Sequence, residues 1–268
     1  MSTTAGSNPA SAPAFGPLAS AASVGDPLLR LTGVHTHIGA YQILHGVDFE
    51  VPRGQVTLLL GRNGAGKTTT LRTIMGLWRA SGGTVRFNGR DIAALATPDI
   101  SRLGIAYVPE NMGIFADLTV RENLLLAARN ARSIDEIAHD RLERVFDAFP
   151  ALRKFWEQPA GLLSGGQKQM LAVARAMIEP RQLLLIDEPS KGLAPAIIQN
   201  LIAALRQLKR DATTILLVEQ NFHFARQLGD QAVVMDDGRI VHHGSMQALA
   251  DDVPLQQRLL GLSLGAHQ

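Results

Sequence analysis

Residues 56–68 read Val-Thr-Leu-Leu-Leu-Gly-Arg-Asn-Gly-Ala-Gly-Lys-Thr, an apolar run followed at once by a glycine-rich loop. The stretch from Gly61 to Thr68 has the spacing of a phosphate-binding loop, and Val56 to Leu60 has the length of a strand buried on both faces. The next residues, Thr69 to Met75, are compatible with a helix. Strand, loop and helix in this order predict an α/β domain built around a nucleotide site.

The loop has the parts that phosphate binding requires. Its glycines let the backbone turn sharply, so that successive amide groups point at the phosphates. Lys67 supplies positive charge to the β- and γ-phosphates, and the hydroxyl group of Thr68 is a ligand for Mg²⁺. We therefore expect ATP and Mg²⁺ as cofactors, and the predicted nucleotide-binding residues are Gly61, Arg62, Asn63, Gly64, Ala65, Gly66, Lys67, Thr68 and Thr69.

A later apolar run, Leu183 to Ile186, ends in the two carboxylates of Asp187 and Glu188. An acidic residue at the carboxyl end of a buried parallel strand points into the ligand crevice, so Asp187 is predicted to hold Mg²⁺ through water. Glu188 is the candidate general base that orients and deprotonates the attacking water.

A second glycine-rich stretch, Leu163-Ser164-Gly165-Gly166-Gln167, precedes a predicted helix over Lys168 to Met177. It would form a second anion-binding helix terminus. Since one nucleotide has only one set of phosphates, we expect two chains to pair head to tail. Residues 164–167 of one chain would then close over ATP held by the phosphate loop of the other. The alternative is a plain turn with a helix cap.

These three motifs occur in the order found in the ATP-binding subunits of ABC transporters, which the chain resembles from about Leu28 to Gly261. Within that family it looks most like the LivF-type subunit of branched-chain amino acid importers. That closer resemblance is carried by Val108-Pro109-Glu110, by residues 190–195 (Ser-Lys-Gly-Leu-Ala-Pro) and by residues 218–221 (Val-Glu-Gln-Asn).

The resemblance implies hydrolysis of MgATP coupled to import of branched-chain or other hydrophobic amino acids. Its implied partners are a second ATP-binding subunit, identical or different, two transmembrane permease subunits and, indirectly, a periplasmic substrate-binding protein. The implied location is peripheral, on the cytoplasmic face of the inner membrane. The transported substrate does not follow from the sequence, because an energising subunit never contacts the cargo.

The chain departs from the family pattern at several site positions. Glu110 stands where most relatives have a glutamine that contacts Mg²⁺, and a carboxylate can still ligate the ion. Gln220 stands where many have a histidine, and we expect its amide to donate to the γ-phosphate. The usual adenine-stacking aromatic position holds Ile38, so Tyr41 is the candidate for stacking, with simple packing as the alternative. Ala194 replaces a common aspartate.

The predicted fold is α/β, a P-loop ABC ATPase core with an antiparallel β layer and an inserted helical subdomain. Strands are expected at Leu28–His35, Val47–Val51 and Thr214–Val218, and Asn88-Gly89 and Asp237-Gly238 each predict a hairpin. Thr119 and Glu122 predict a helix-capping box, and Pro195 is expected in the first turn of a helix with one apolar face. The ABC domain is predicted over residues 27–262, with the helical subdomain at about 113–172. Residues 1–26, rich in Ser, Thr, Ala, Gly and Pro, are predicted to be a disordered extension. Residues 263–268 are expected to form a tail.

Composition narrows the classes of function. The chain has 26 basic and 24 acidic residues with no block of like charge, so no nucleic-acid partner is indicated. It has no cysteine, which excludes disulfides and thiolate chemistry. No apolar run reaches the roughly 18 residues that a membrane span requires.

Three alternatives to amino acid import stay open at this stage. One is the ATPase subunit of another ABC importer or of an exporter, which the neighbouring genes would distinguish. Another is a soluble DNA-repair or chromosome ATPase, although this chain lacks the coiled coil or zinc-binding cysteines usual there. The last is a module that binds ATP without hydrolysing it, which a phosphate-release assay would identify.

Overall fold

The structure is a computed structural model and describes residues 25–128 and 131–261. The predicted tail at 263–268 lies outside these residues, as does the predicted extension apart from Gly25 and Asp26. Within the described ranges, no helix has the length and hydrophobicity that a bilayer crossing requires.

Ten strands lie within the described residues. They are named β1 to β10 in chain order and cover Leu29–Ile38, Tyr41–Val51, Val56–Leu60, Ala80–Phe87, Arg90–Asp91, Ile105–Val108, Leu183–Asp187, Thr214–Glu219, Gln231–Asp236 and Arg239–Ser245.

The α-helices of the same residues are named α1 to α10. They cover Lys67–Ile74, Thr97–Arg102, Val120–Ala127, His139–Ala148, Pro150–Lys154, Gly165–Met177, Pro195–Arg210, Phe222–Ala225, Met246–Asp251 and Val253–Leu260. Helices α3 to α6 follow β6 and precede β7. The predicted boundaries of a helical subdomain within this stretch stay a prediction.

The strands form two sheets of different kinds. An antiparallel sheet has the order β2-β1-β4-β5. The larger sheet has the order β10-β9-β3-β8-β7-β6, in which the neighbours from β9 to β6 are parallel and β10 is antiparallel to β9. Antiparallel layer, parallel sheet and helices together confirm the predicted fold class.

The parallel strands are covered on both faces, which explains their unbroken apolar sequences. Along β3, Leu58 and Leu60 pack in a core with helices α6 and α7, whereas Leu59 faces the other core, shared with α1 and the antiparallel sheet. Because successive side chains of a strand point to opposite faces, one apolar run can serve two cores. This placement holds β3 rigidly at the centre, with its carboxyl end leading into the glycine-rich loop.

Several local predictions are confirmed. The hairpin turn at Asn88-Gly89 connects β4 and β5, and Asp237-Gly238 connects β9 and β10. Thr119 and Glu122 form a reciprocal capping box at the start of α3. Helix α7 begins at Pro195 and buries the expected apolar face.

Three predicted boundaries were wrong: the end of β1, the start of β2 and the start of α6. Strands β1 and β2 run on to a turn at residues 39–40, because irregular register near Gly33 and after Val34 breaks the alternation that sequence periodicity detects. Helix α6 begins at Gly165 instead of Lys168, because a capping box between Ser164 and Gln167 fixes its start ahead of two poor helix formers.

Candidate functional site

Four neighbouring strands deliver the predicted site residues to one edge of the parallel sheet. In the order β3-β8-β7-β6, Leu60 pairs with Glu219, Val218 with Asp187, and Ile186 with Val108. Each strand therefore ends at the same level, just before Gly61, Gln220, Glu188 and Pro109 respectively. Strands β6, β7 and β8 approach β3 from one side, and the chain then crosses to β9 on the other side of β3. The order of strands therefore changes at β3. Ligands of parallel sheets bind at such a switch point.

The phosphate loop, residues 61–68, is shaped by glycines with positive φ. Gly64 and Gly66 have φ of 81° and 105°, angles that other residues rarely adopt. A Cβ atom on Gly61 would lie 2.2 Å from the carbonyl oxygen of Met235, and one on Gly66 would lie 3.0 Å from Leu44. The loop is thus held close to β9 and β2, with its backbone free to face a ligand.

Lys67 lies at the start of α1, where the helix has no side-chain cap. The first amide groups of a helix have no acceptor within it, so this uncapped end suits an anion. The Lys67 ammonium group donates to the carbonyl oxygens of Gly61, at 2.9 Å, and Arg62, at 3.0 Å. Its side chain is 4% exposed, and this burial lowers the pKa of Lys67.

Asp187 is fully buried and accepts two hydrogen bonds from hydroxyl groups. Thr68 donates to its Oδ1 at 3.1 Å, and Tyr107 donates to its Oδ2 at 3.2 Å. Burial raises the pKa of Asp187, while both hydrogen bonds act in the opposite direction. The structure thus brings together two of the three residues predicted to ligate Mg²⁺, Thr68 and Asp187.

Tyr107 was not predicted. It is the third residue of β6, three positions before Glu110, and burial raises its pKa. The position of a hydroxyl-bearing side chain near the carboxyl end of a parallel strand is the signal that would have indicated it.

Glu188 lies next along the chain and adopts a left-handed backbone conformation, with φ of 46°. Such a conformation is strained for a residue other than glycine and concentrates at functional sites. Its Oε1 accepts a hydrogen bond from the Gln220 amide and lies 3.6 Å from the Lys67 ammonium group. The three residues predicted to be catalytic, Glu188, Gln220 and Lys67, are therefore in direct contact.

Glu110 is bound to a basic residue that was not predicted to have a role. Its Oε1 lies 2.6 Å from the ammonium nitrogen of Lys191, which also lies 3.6 Å from Oε2 of Glu188. Whereas Thr68 and Asp187 are joined directly, Glu110 reaches the site through this lysine. Its predicted ligation of Mg²⁺ stays a prediction.

Glu219, at the end of β8, was also missed. Its buried carboxylate accepts hydrogen bonds from the backbone amides of Ser190, Gln220 and Asn221. Burial raises the pKa of Glu219. The residue connects the loop after β7 to the loop after β8, and a carboxylate at the end of an apolar run was the available signal.

The signature stretch, residues 163–167, lies at the start of α6. The Ser164 hydroxyl accepts from the Gln167 amide at 3.3 Å, and the Gln167 side chain accepts from the Ser164 amide at 2.9 Å. A Cβ atom on Gly166 would lie 2.9 Å from Ile197, whereas one on Gly165 would meet no atom within 4 Å. The helix cap that was the alternative interpretation is present, and the contact across a dimer stays a prediction.

Tyr41 begins β2 and is 77% exposed. Three residues on, Leu44 of the same strand approaches Gly66 of the phosphate loop. The ring is therefore on the strand that passes beside the loop and is open to solvent. Stacking of adenine on Tyr41 remains a prediction.

The residues fit MgATP. The loop backbone leaves open space beside Gly64, where an added Cβ atom would meet no atom within 4 Å. The ammonium group of Lys67 lies against the same loop, at the carbonyl oxygen of Gly61. The groups near Asp187 offer oxygen atoms, which Mg²⁺ prefers. Among the described residues no cluster of three His, Cys, Asp or Glu side chains could hold a metal alone.

The fold and the loop define a P-loop nucleotide-binding protein. The family model described as ABC transporter matches residues 44–191. The chain belongs to the ABC transporter family, and membership implies hydrolysis of ATP.

Relatives match the chain over almost their whole length. The high-affinity branched-chain amino acid transport ATP-binding protein BraG of Pseudomonas aeruginosa is 41% identical over 234 residues, which cover 87% of this chain and 100% of BraG. A probable branched-chain amino acid transport ATP-binding protein LivF of Archaeoglobus fulgidus is 36% identical, covering 88% and 99%. The crystal structure of a nucleotide-free ATP-binding cassette from an ABC transporter superposes with a TM-score of 0.74 at 26% identity, covering 89% and 100%.

Proposed function

We propose that this protein is the ATP-hydrolysing subunit of an ABC importer for branched-chain or other hydrophobic amino acids. The observation that carries the hydrolytic role is the contact of Glu188 with Gln220 and Lys67 at the carboxyl ends of β7, β8 and β3. The substrate class is supported by BraG and LivF, both of them branched-chain amino acid transport proteins, which match over nearly their full lengths.

In the proposed reaction each residue acts on one part of the substrate. The amides of residues 61–69 and the Lys67 ammonium group bind the β- and γ-phosphates. Thr68 and Asp187 would hold Mg²⁺, with Glu110 as a further ligand from the loop after β6. When bound, Mg²⁺ neutralises phosphate charge. Glu188 orients water and accepts its proton as the water attacks the γ-phosphate.

The proposed assembly places two ATP-binding subunits head to tail. Ser164, Gly165, Gly166 and Gln167 of one subunit would then contact the nucleotide of the other. Gly165 supports this arrangement, because its missing side chain relieves no clash inside its own chain. Two permease subunits and, indirectly, a periplasmic binding protein complete the proposed importer. The proposed location is the cytoplasmic face of the inner membrane.

The substitution Glu188→Gln tests the hydrolytic role. We expect it to keep ATP binding and to slow phosphate release by at least about a hundredfold, because the amide preserves the shape but removes the base. It should also trap an ATP-bound dimer, measurable by light scattering. Phosphate release at the unmodified rate would contradict the assignment of Glu188.

The substrate class is tested by transport. We expect membranes that contain this protein and the permeases encoded beside it to take up labelled leucine, isoleucine or valine only when ATP and the binding protein are supplied. Binding-protein-independent efflux instead of uptake would identify an exporter.

A further inference from the structure

A charged side chain that the proposed reaction does not use bridges two of its residues. Lys191 lies in the loop after β7, three residues beyond Glu188, and Glu110 lies in the loop after the neighbouring strand β6. The Lys191 ammonium nitrogen is 2.6 Å from Glu110 and 3.6 Å from Glu188. One lysine thus contacts two carboxylates from two loops.

The charges at this edge of the sheet favour a cation at this position. Glu110, Asp187 and Glu188 are three carboxylates at the ends of the adjacent strands β6 and β7, and the nucleotide phosphates would add further negative charge. Lys67 lies beside Glu188 at 3.6 Å from its Oε1. Lys191 contacts the other oxygen of Glu188 and the carboxylate of Glu110. Lys191 therefore offsets the negative charge that Glu110 and Glu188 place beside the phosphates, and it holds Glu110 in the loop position from which that residue would ligate Mg²⁺.

From this geometry we propose that Lys191 is a positioning residue of the ATP site, which balances the charge of Glu110 and holds Glu110 and Glu188 in place. The proposal rests on the function proposed above, because it assigns Lys191 to the same site. An exposed ion pair contributes little by itself, so the role rests on the contacts of Lys191 with both carboxylates and not on one pair alone.

The role predicts that the effect of removing Lys191 depends on the charge of Glu110. We expect Lys191→Met to lower kcat about threefold to tenfold and to change KM less, a size typical of a charged pair in a network near the surface. In the Glu110→Gln background the same substitution should change kcat by less than about twofold, because no free carboxylate is created. A lysine acting only through long-range charge would instead give equal effects in both backgrounds.

The experiment compares four proteins: the unmodified chain, Lys191→Met, Glu110→Gln and the double variant. Phosphate release gives kcat and KM, and ATP affinity is measured separately in EDTA, where no metal ligation contributes. The two substituted side chains are 59% and 42% exposed, so folding should be retained, and melting temperatures confirm it. Raising the salt from 0.05 to about 0.5 M should weaken the Lys191 effect, since exposed charges are screened.

A matched control uses Arg30 and Glu50, an ion pair at 2.8 Å with side chains 49% and 46% exposed on the antiparallel sheet. Arg30→Met should leave kcat and ATP affinity unchanged in both the unmodified and the Glu50→Gln background.

The outcomes separate the two proposals. Equal effects of Lys191→Met in both backgrounds, or none in either, would overturn the role of Lys191. If the unmodified chain releases no phosphate, the proposed hydrolysis fails, and the ATP affinity in EDTA then tests Lys191 by itself. An effect of Lys191→Met on that affinity that is smaller in the Glu110→Gln background would support the role of Lys191, and an equal effect in both backgrounds, or none, would overturn it.

Discussion

The conformation of Glu188 is fixed by contacts with residues that are distant in sequence. Glu188 has a left-handed φ, and its backbone amide donates to Val218 on the adjacent strand at 3.0 Å. The strand pairing therefore fixes a conformation that this residue would otherwise avoid. Its carboxylate accepts a hydrogen bond from Gln220, the residue after β8, so both side chains are positioned by the pairing of β7 with β8.

The hydrogen bond between Gln220 and Glu188 adds a second partner to the one that the sequence predicted for Gln220. The amide was expected to donate to the γ-phosphate, and in the structure it donates to Glu188. A side-chain amide has two N–H donors, so both contacts can coexist.

We expect Gln220→Ala to slow turnover about tenfold to a thousandfold, because a neutral donor aimed at developing charge typically contributes a few kcal/mol to the transition state. ATP affinity should change far less. Gln220→His should add a step near neutral pH to the rate profile, which the glutamine cannot produce. Steady-state kinetics between pH 6 and 9 measure both effects, and full activity of Gln220→Ala would mean that the position is only structural.

At the scale of the element, the two glycines of α6 have different tasks. Gly166 packs against Ile197 of α7, where a Cβ atom would clash at 2.9 Å, whereas the corresponding direction from Gly165 is open. Gly166 is therefore required for packing within its own chain, whereas Gly165 is left open for the predicted contact with a partner.

We expect Gly165→Ala to leave the free energy of unfolding unchanged or slightly higher, since alanine is the better helix former. It should nevertheless slow ATP hydrolysis by at least about tenfold, because the added methyl group would disturb donors at the nucleotide across the dimer. Gly166→Ala is the matched control and should lower the free energy of unfolding by about 1–3 kcal/mol through overpacking. Urea unfolding and phosphate release measure the two properties. Equal hydrolysis by Gly165→Ala and the unmodified chain would contradict the predicted interface.

The capping box of α3 links helix stability to pH. Hydrogen bonds from the backbone amide and the hydroxyl group of Thr119 hold the pKa of Glu122 below its ordinary value of 4.5. The ionised carboxylate therefore stabilises the fold above pH 4.5, and this contribution is lost as the pH falls through the lower pKa of the folded state.

We expect Glu122→Gln to be less stable than the unmodified chain at pH 7, and the difference between them to shrink as the pH is lowered below 4.5. Chemical unfolding at several pH values measures it. Asp117→Asn removes an exposed charge two residues before Thr119 and serves as a control for net charge. A difference that stays constant down to pH 3 would contradict the linkage.

At the scale of the whole molecule, the two glycine-rich stretches belong to different parts of one chain. The phosphate loop follows β3 at the centre of the sheet, and the signature begins α6, which packs with α7 in the core on one face of that sheet. The hydrogen bonds of Ser164 are used within its own helix cap. In a head-to-tail dimer, each of the two nucleotides would lie between the phosphate loop of one chain and the signature stretch of the other.

Mixing two defective chains tests this arrangement. Ser164→Arg should bind ATP but hydrolyse it slowly, and Lys67→Ala should bind it poorly. In an equimolar mixture half of the dimers are mixed, and each mixed dimer has one site with both halves intact. We therefore expect recovery to about a quarter of the unmodified rate if the sites act independently. No recovery would contradict a homodimeric sandwich, since two defects in one self-contained site cannot complement each other.

Local patterns were sufficient for much of the fold. The loop at residues 61–68, the buried strands β3, β7 and β8, the hairpin turns and the cap at Thr119 follow from short-range rules of backbone geometry and apolar periodicity. The same rules missed the full extent of β1 and β2, because register irregularities interrupt the alternation of side chains.

The composition of the site was predictable, and its contacts were not. Sequence motifs indicated Lys67, Asp187, Glu188 and Gln220, because each follows an apolar strand. Which of them touch depends on the order β3-β8-β7-β6, and strand order is set by packing between distant segments. The same long-range pairing brings Tyr107 to Asp187 and Lys191 to Glu110. The sequence alone thus determined the chemistry that is present, while the tertiary structure decided its partners, because hydrogen bonds and ion pairs act over a few ångströms between residues far apart in the chain.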